Sequence, residues 1–424
     1  MEVTINTLSE VQQEAEILVS DEELQPHFTR AYEKYRPKVE LKGFRKGKVP
    51  MEIIKKLYGE AIEQDSLDTV ASEFYRIAMT ERNILPIGKP ELTDMDFRRG
   101  EHFRFKIKYE VRPAIELKHY KGVAVEKPTH KVTDPEIQKE IDRIRHINST
   151  TTEVAAVTDS EHIVTGIVQE LDATGAPLIG KKSPHSRFYL ADETLPTEIR
   201  EALAHAEVDG LYRVSFESKH DDHIHSTHIS ITVTKIEKVI LPPFDEALVK
   251  KISGDKVSST DEFLKSLRID LTKYWEDRGE RALSDAIAQE LVRMHEFPVP
   301  ESLVNSFLDA FVEDIKNRSK DKKLPPDFDE EKFRDESRAF ATWQAKWMLL
   351  KEGIAEAENI TVTDAELETL AAAEAERIGV GKDRLLEYYK NSSSTVERLL
   401  SDKVISFLKE HAKIKEKIVS DERT

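Results

Sequence analysis

The chain has 424 residues, with 64 Lys and Arg against 81 Asp and Glu, for a formal net charge of −17 at pH 7. That length predicts two to four domains, each able to bury a core, and the acidity disfavours bulk nucleic-acid binding. The absence of cysteine excludes disulfides and cysteine-ligated zinc or iron-sulfur sites, and it fits a reducing cytoplasm.

The first residues, Met1-Glu2-Val3-Thr4-Ile5-Asn6, have no cationic start followed by an apolar core, so they are not read as a signal peptide. No run approaches the roughly 18 apolar residues of a membrane span, and a soluble protein is expected. Val3, Ile5, Ile17 and Val19 lie in extended stretches, and Phe103, Phe105, Ile107, Tyr109 and Val111 alternate strictly as in half-buried strands. Between them, Ser20-Asp21-Glu22-Glu23 fits a capping box, and Leu24, Phe28, Ala31, Tyr32 and Tyr35 follow at helical spacing, with Pro26 in the first turns and Pro37 at the end. Pro50 suits the first position of a second helix, with Ile53, Ile54, Leu57 and Tyr58 on its face and Gly59 as its stop. Ile62 to Arg82 reads as a further amphipathic helix with Leu67, Val70, Ala71, Phe74, Ile77 and Ala78 in the core.

The connection between the first two helices contains Gly43-Phe44-Arg45-Lys46-Gly47-Lys48-Val49-Pro50. Two glycines free the backbone on either side of an aromatic ring and a cluster of cations. From Arg30 to Lys56 there are ten Lys or Arg against three acids, a local balance of +7 in an acidic chain. A charge run is ordinarily just a solvated surface. The joint pattern Gly-Phe-Arg-x-Gly-x-x-Pro, held between two helices near the N-terminus of an acidic chain, resembles the ribosome-docking loop of the trigger factor family.

Further along, Thr133-Asp134-Pro135-Glu136 combines a capping box with a first-turn proline, and Ile137, Ile141, Ile144 and Ile147 continue a helix to about Asn148. The polar stretch Asn148 to Thr152 marks a boundary. Short strands follow at Ile163 to Leu171, Arg187 to Leu190, Leu211 to Phe216 and Ile229 to Ile236, with one helix near Pro196 to Ala204. This order resembles the FKBP-like prolyl isomerase domain that the family carries here. After Leu241-Pro242-Pro243 the chain reads as almost wholly helical, with Leu264 to Ile287 as one stripe, a break at Phe297 to Pro300, and a long helix over Asp329 to Glu358 that carries Trp343 and Trp347 as core. Capping boxes at Thr363 and Ser394 start two more helices, and the Lys/Glu-rich tail from Lys409 is expected to fray. Phe297 to Ser302 and Glu358 to Asp364 are similar to stretches of the family's C-terminal domain.

The resulting expectation is an α+β multidomain chain. It comprises an N-terminal α+β ribosome-docking domain over residues 1–112, a linker with a connecting helix over 113–149, an FKBP-like β-rich middle domain over 150–240, and an all-helical C-terminal chaperone domain with extended arms over 241–424. The resemblance implies an ATP-independent cytoplasmic chaperone that needs no cofactor. It would dock beside the large-subunit exit tunnel, on protein and rRNA, and shield nascent chains, with a homodimer off the ribosome. By that resemblance Phe44, Arg45 and Lys46 are the main contacts, Gly43 and Gly47 shape the loop, and Lys48 adds charge.

An FKBP-like site holds a proline ring in an aromatic pocket while the amide twists, and it needs no nucleophile. The family's Ile-Pro-Gly-Phe-Glu element corresponds to Ala191 to Ile199, where only Leu195-Pro196 survives. Weak or absent isomerase activity is expected, with no catalytic residue assigned; the alternative reading is an FKBP-type prolyl isomerase acting on folding proteins. His220, His223, His225 and His228 include strand neighbours two apart that share a face, but they are read as a polar hairpin tip and no metal site is assigned. No Walker loop, dinucleotide fingerprint or local Ser-His-Asp arrangement is visible.

Overall fold

The structure is a computed structural model that describes residues 1–220, 223–319 and 321–419. The chain forms two compact units. One combines Met1–Pro128 with Gly279–Lys417, and the other combines Thr129–Arg278 with the segment from Ile418.

The first unit opens with β1 (Glu2–Thr7) and β2 (Gln12–Ser20), then α1 (Asp21–Tyr35), α2 (Met51–Glu81), β3 (Ile87–Arg98) and β4 (His102–Glu110). The four strands form an antiparallel sheet in the order β1-β2-β4-β3. The period-2 pattern of β4 turns Phe103, Phe105, Ile107 and Tyr109 to one face, where Ile17 pairs with Phe105 and Val19 with Phe103. Leu24 and Phe28 of α1 and Ile54, Leu67, Val70 and Phe74 of α2 close over that face as a single core.

The start of α1 follows the capping box, with the Glu23 carboxylate accepting the Ser20 amide at 3.1 Å. Pro26 sits inside the helix and Pro37 lies in the 3₁₀ turn after it. Two expectations are corrected here, and one element is new. Gly59 does not stop a helix, because α2 runs unbroken from Met51 to Glu81 with Gly59 buried in it. Leu57 and Ile77, placed in apolar faces by spacing, are 56% and 38% exposed. The new element is β3, an edge strand that spacing did not reveal because most of its side chains face water.

The second unit contains α3 (Asp134–Ile147), β6 (Thr150–Val154), β7 (His162–Leu171), β8 (Pro177–Tyr189), α4 (Thr197–Leu203), β9 (Leu211–His220), β10 (His223–Ile240) and α5 (Glu246–Ser253). The long β10 is the hub of this sheet, pairing antiparallel with β6, β7 and β9, while β8 lies outside β7. Val164, Leu190, Leu203, Ile231 and Ile236 are its fully buried centre. In α3, Ile137 and Ile141 pack with Trp275, Leu264, Leu267 and Leu271 of α6 (Thr260–Met294).

The first unit resumes with the end of α6, then α7 (Glu301–Arg318), α8 (Glu330–Ala357), α9 (Asp364–Ile378), α10 (Lys382–Asn391) and α11 (Ser393–His411). Leu283, Ile287, Leu291, Trp347, Leu350, Ile354, Val404 and Leu408 form its core, so Trp347 is buried as expected, and Trp343 is half-buried against it. The cap of α11 is Ser392, whose hydroxyl accepts the Thr395 amide, and not Ser394. The tail does not fray through Val419. Lys413–Ile418 forms β11, paired with β5 (Ala124–Thr129), and the Lys413 amide donates to the Val123 carbonyl at 2.8 Å. No helix among the described residues is long and apolar enough to cross a membrane.

Candidate functional site

Between α1 and α2 the chain makes two successive tight turns. The Phe44 amide donates to the Leu41 carbonyl at 3.0 Å and the Lys48 amide to the Arg45 carbonyl at 2.9 Å. The third residue of each turn is a glycine at positive φ, +97° for Gly43 and +74° for Gly47, a conformation that L side chains adopt only under strain. The glycine spacing therefore dictates the loop's shape. Its base is fixed by Val49, fully buried, and by Val39 and Leu41, packed on the same core. What remains outside is Lys42, Phe44, Arg45, Lys46 and Lys48, with Phe44 41% exposed.

An exposed phenyl ring among cations is costly to leave in water and well suited to a partner that is both anionic and partly apolar. Among the described residues Lys42, Arg45 and Lys48 have no ion-pair partner, while Arg30 is held by Glu73 at 3.0 Å. Lys46 differs: its ammonium pairs with Glu40 across the loop at 2.5 Å, and that hydrogen bond holds the Glu40 carboxyl below its usual range. Both groups are open to solvent, so salt screens the pair and a phosphate can compete for Lys46. The structure thus brings all six loop residues into one projecting tip but shows Lys46 already engaged, which spacing did not reveal.

Beneath the loop, the α1–α2 hairpin is keyed by a buried carboxylate. Glu63 accepts the Tyr32 hydroxyl, and Arg99 reaches it with Nη2 at 3.0 Å and Nε at 2.7 Å. Burial, and then the hydrogen bond to Glu63, push the Tyr32 phenol up to about 12. Gly59 makes room for this arrangement, since a Cβ there would meet Arg99 Nη2 at 2.8 Å. The sequence signal for the network was an acid at a core position of the α2 repeat, flanked by Ile62 and Leu67.

In the second unit, Leu195 packs on the sheet core and Pro196 caps α4. Phe188, Tyr212 and Phe216 are half-buried against the same core, and the Tyr212 hydroxyl accepts the Glu207 amide at 2.9 Å while its ring lies over Gly210. These aromatics serve packing. Of the four histidines near 220–228, His228 has its Nδ1 2.6 Å from Ser215 Oγ, and the side chains of His220, His223 and His225 lie outside the described residues. Among the described residues no cluster of three or more His, Asp or Glu could hold a metal ion.

Two family models match the chain: bacterial trigger factor protein over residues 1–144, and bacterial trigger factor protein C-terminus over residues 259–410. A trigger factor of Chlorobium phaeobacteroides is 30% identical over 425 residues, covering 98% of this chain and 98% of that protein. The chain belongs to the trigger factor family. A trigger factor of Salinibacter ruber is 28% identical over 430 residues, covering 96% of this chain and 93% of its own length. A solved trigger factor chaperone, described as showing promiscuous substrate recognition in folding and assembly activities, aligns with a TM-score of 0.51 at 17% identity, over 97% of this chain and 99% of that one. At that identity the likeness is one of fold. The two matched segments of the trigger factor models leave residues 145–258 between them, the stretch that contains the second unit's sheet.

Proposed function

We propose that the chain is an ATP-independent cytoplasmic chaperone that docks at the ribosomal exit tunnel through the loop from Gly43 to Pro50 and shields nascent polypeptides. The observation that carries this reading is the loop itself, two glycine turns that leave Phe44 exposed beside Lys42, Arg45 and Lys48, which have no ion-pair partner among the described residues, in an otherwise acidic chain. Phe44, Arg45 and Lys46 make the contact, Gly43 and Gly47 set the backbone, and Lys48 adds charge toward rRNA. Its domains are 1–112 for docking, 113–149 as linker, 150–240 of FKBP type and 241–424 for client binding, and off the ribosome it pairs with a second copy.

Co-sedimentation with ribosomes tests the docking. Replacing Phe44, Arg45 and Lys46 together by Ala should abolish association with the fold intact; unchanged sedimentation would point instead to an assembly factor whose basic loop is incidental.

Prolyl isomerase activity is weak or lost. Its pocket needs free aromatic walls, whereas Tyr212 and Phe216 are used in packing. A proline-limited refolding assay should show little acceleration by the full chain. Strong acceleration that survives the loop triple variant would favour the FKBP-type enzyme reading.

A further inference from the structure

The helix α7 begins at a residue that cannot cap it. Its N-cap position is Pro300, whose side chain has no hydrogen-bonding atom, so the first amides of the helix find no acceptor there. The acceptor comes from a strand 191 residues earlier. Glu110, the last residue of β4, takes the Glu301 amide on Oε1 at 3.0 Å and the Ser302 amide on Oε2 at 2.9 Å, and Oε2 also accepts the Ser302 hydroxyl. A carboxylate in this place also meets the positive end of the helix dipole. Gly88 of β3, next to the Ile87–Glu110 pair, forms the other wall: its φ is +69°, and a Cβ there would lie 2.4 Å from Ser302 Cβ. The edge of the N-terminal sheet is thus a socket for one helix end. From it α7 packs on α8 through Val304, Leu308, Ala341 and Ala345, and the Glu301 carboxylate pairs with Arg338. The opposite end of β4 serves the basic loop, because Arg99, just ahead of the strand, reaches Glu63 in the helix that follows the loop. The nine residues between span roughly 27 Å.

We propose that Glu110 is a positioning residue for the chaperone: its carboxylate anchors the α7–α8 hairpin on the N-terminal sheet, with β4 as a rigid spacer, so that docking through the loop also aims this pair of helices. The proposal deepens the docking reading and rests on it. It assigns the link between holding the ribosome and shielding the chain to one side chain that touches neither.

The test uses the full chain. Because it has no cysteine, Ser72→Cys in α2 and Asn317→Cys in α7, both exposed, take spin labels without background, and pulsed electron resonance reads the distance between them. Glu110→Ala should broaden that distance distribution and leave ribosome co-sedimentation unchanged. Protease cleavage of a ribosome-bound nascent chain should become faster by roughly threefold to tenfold, the shift that loss of about one charge-assisted hydrogen bond puts on a two-state equilibrium. Pro300→Ser added to Glu110→Ala gives α7 a cap of its own but no tether, and it should restore neither the narrow distance nor the protection. Recovery in that double variant would overturn the proposal, because Glu110 would then serve the helix alone. An unchanged distance or unchanged protection in Glu110→Ala would also overturn it. If Glu110→Ala does not fold by circular dichroism, Gly88→Ala, which crowds Ser302 with the carboxylate in place, decides: an unmoved distance there overturns the anchor. Failure of the unaltered chain to sediment with ribosomes refutes the docking reading, whereas docking with an unmoved α7 in Glu110→Ala refutes only the anchor.

Discussion

Glu63 shows how one side chain can govern a site it never touches. It sits in the helix that follows the basic loop, with its carboxylate joining Tyr32 of α1 to Arg99 beyond β3, and so ties together the two helices that hold the loop. Glu63→Ala would leave the buried Tyr32 hydroxyl without an acceptor, a loss of about 2 kcal/mol. Glu63→Gln keeps an acceptor and should cost about half as much. Hydrogen exchange of α1 amides in the full chain reads this locally, with Glu63→Ala expected to lower protection roughly tenfold to thirtyfold; wild-type protection in that variant would show the network to be idle. The loop glycines and cations were legible in the sequence because turn chemistry is local. The Glu63 network and the Glu40–Lys46 pair were not, because a carboxylate's partner depends on which elements meet.

At the scale of elements, helix starts were the most readable features, since a capping box is complete within four residues. Those at Ser20, Thr133 and Thr363 stand as read, and at the last Lys403 also pairs with the capping carboxylate at 2.7 Å. Lys403, and then the Thr363 amide and hydroxyl, hold the Glu366 carboxyl at about 2 against an ordinary 4.5. A folded-state value below the unfolded one means that stabilisation is complete above about pH 4.5 and is lost as pH falls toward 2. Glu366→Gln should therefore melt below the unaltered chain at pH 7, with the gap closing on acidification through that window. A gap that persists at pH 2 would assign the effect to packing instead. Strands were harder to read. β3 shows little alternation because most of its side chains face water on both sides, and β11, with its Lys-Ile-Lys-Glu-Lys-Ile run, looks like a solvated tail until β5 supplies the missing partner. The α2 helix was cut at Gly59 because a glycine in a helical repeat ordinarily weakens it, and the space Arg99 needs could not be seen from one strand of text.

For the molecule as a whole, a net charge of −17 sets the terms of any approach to RNA. The bulk of the chain is repelled and the loop is attracted, so association should be both oriented and sensitive to salt. If Arg45, Lys46 and Lys48 each neutralise one phosphate, the logarithm of ribosome affinity should fall with the logarithm of salt at a slope of roughly −2 to −3. Lys48→Ala should make that slope shallower by about one. A slope near zero would mean that docking rests on Phe44 and protein contacts alone. The division into an α+β start, a β-rich middle and a helical end was visible from changes in hydrophobic period along the chain. That residues 1–128 and 279–417 share one compact unit was not visible, because nothing in local periodicity encodes contacts across such a separation.

The pairing of β5 with β11 has a consequence for how this protein is made. The two strands are about 290 residues apart, which at the usual pace of roughly 5 to 20 residues per second is an interval of about 15 to 60 s of synthesis. Throughout that time β5 has left the ribosome with an open edge and no native mate, while the sheet and helices of the first 110 residues are already able to close on themselves. The last strand to be made therefore completes a sheet whose first strand has waited unpaired for most of the chain's synthesis.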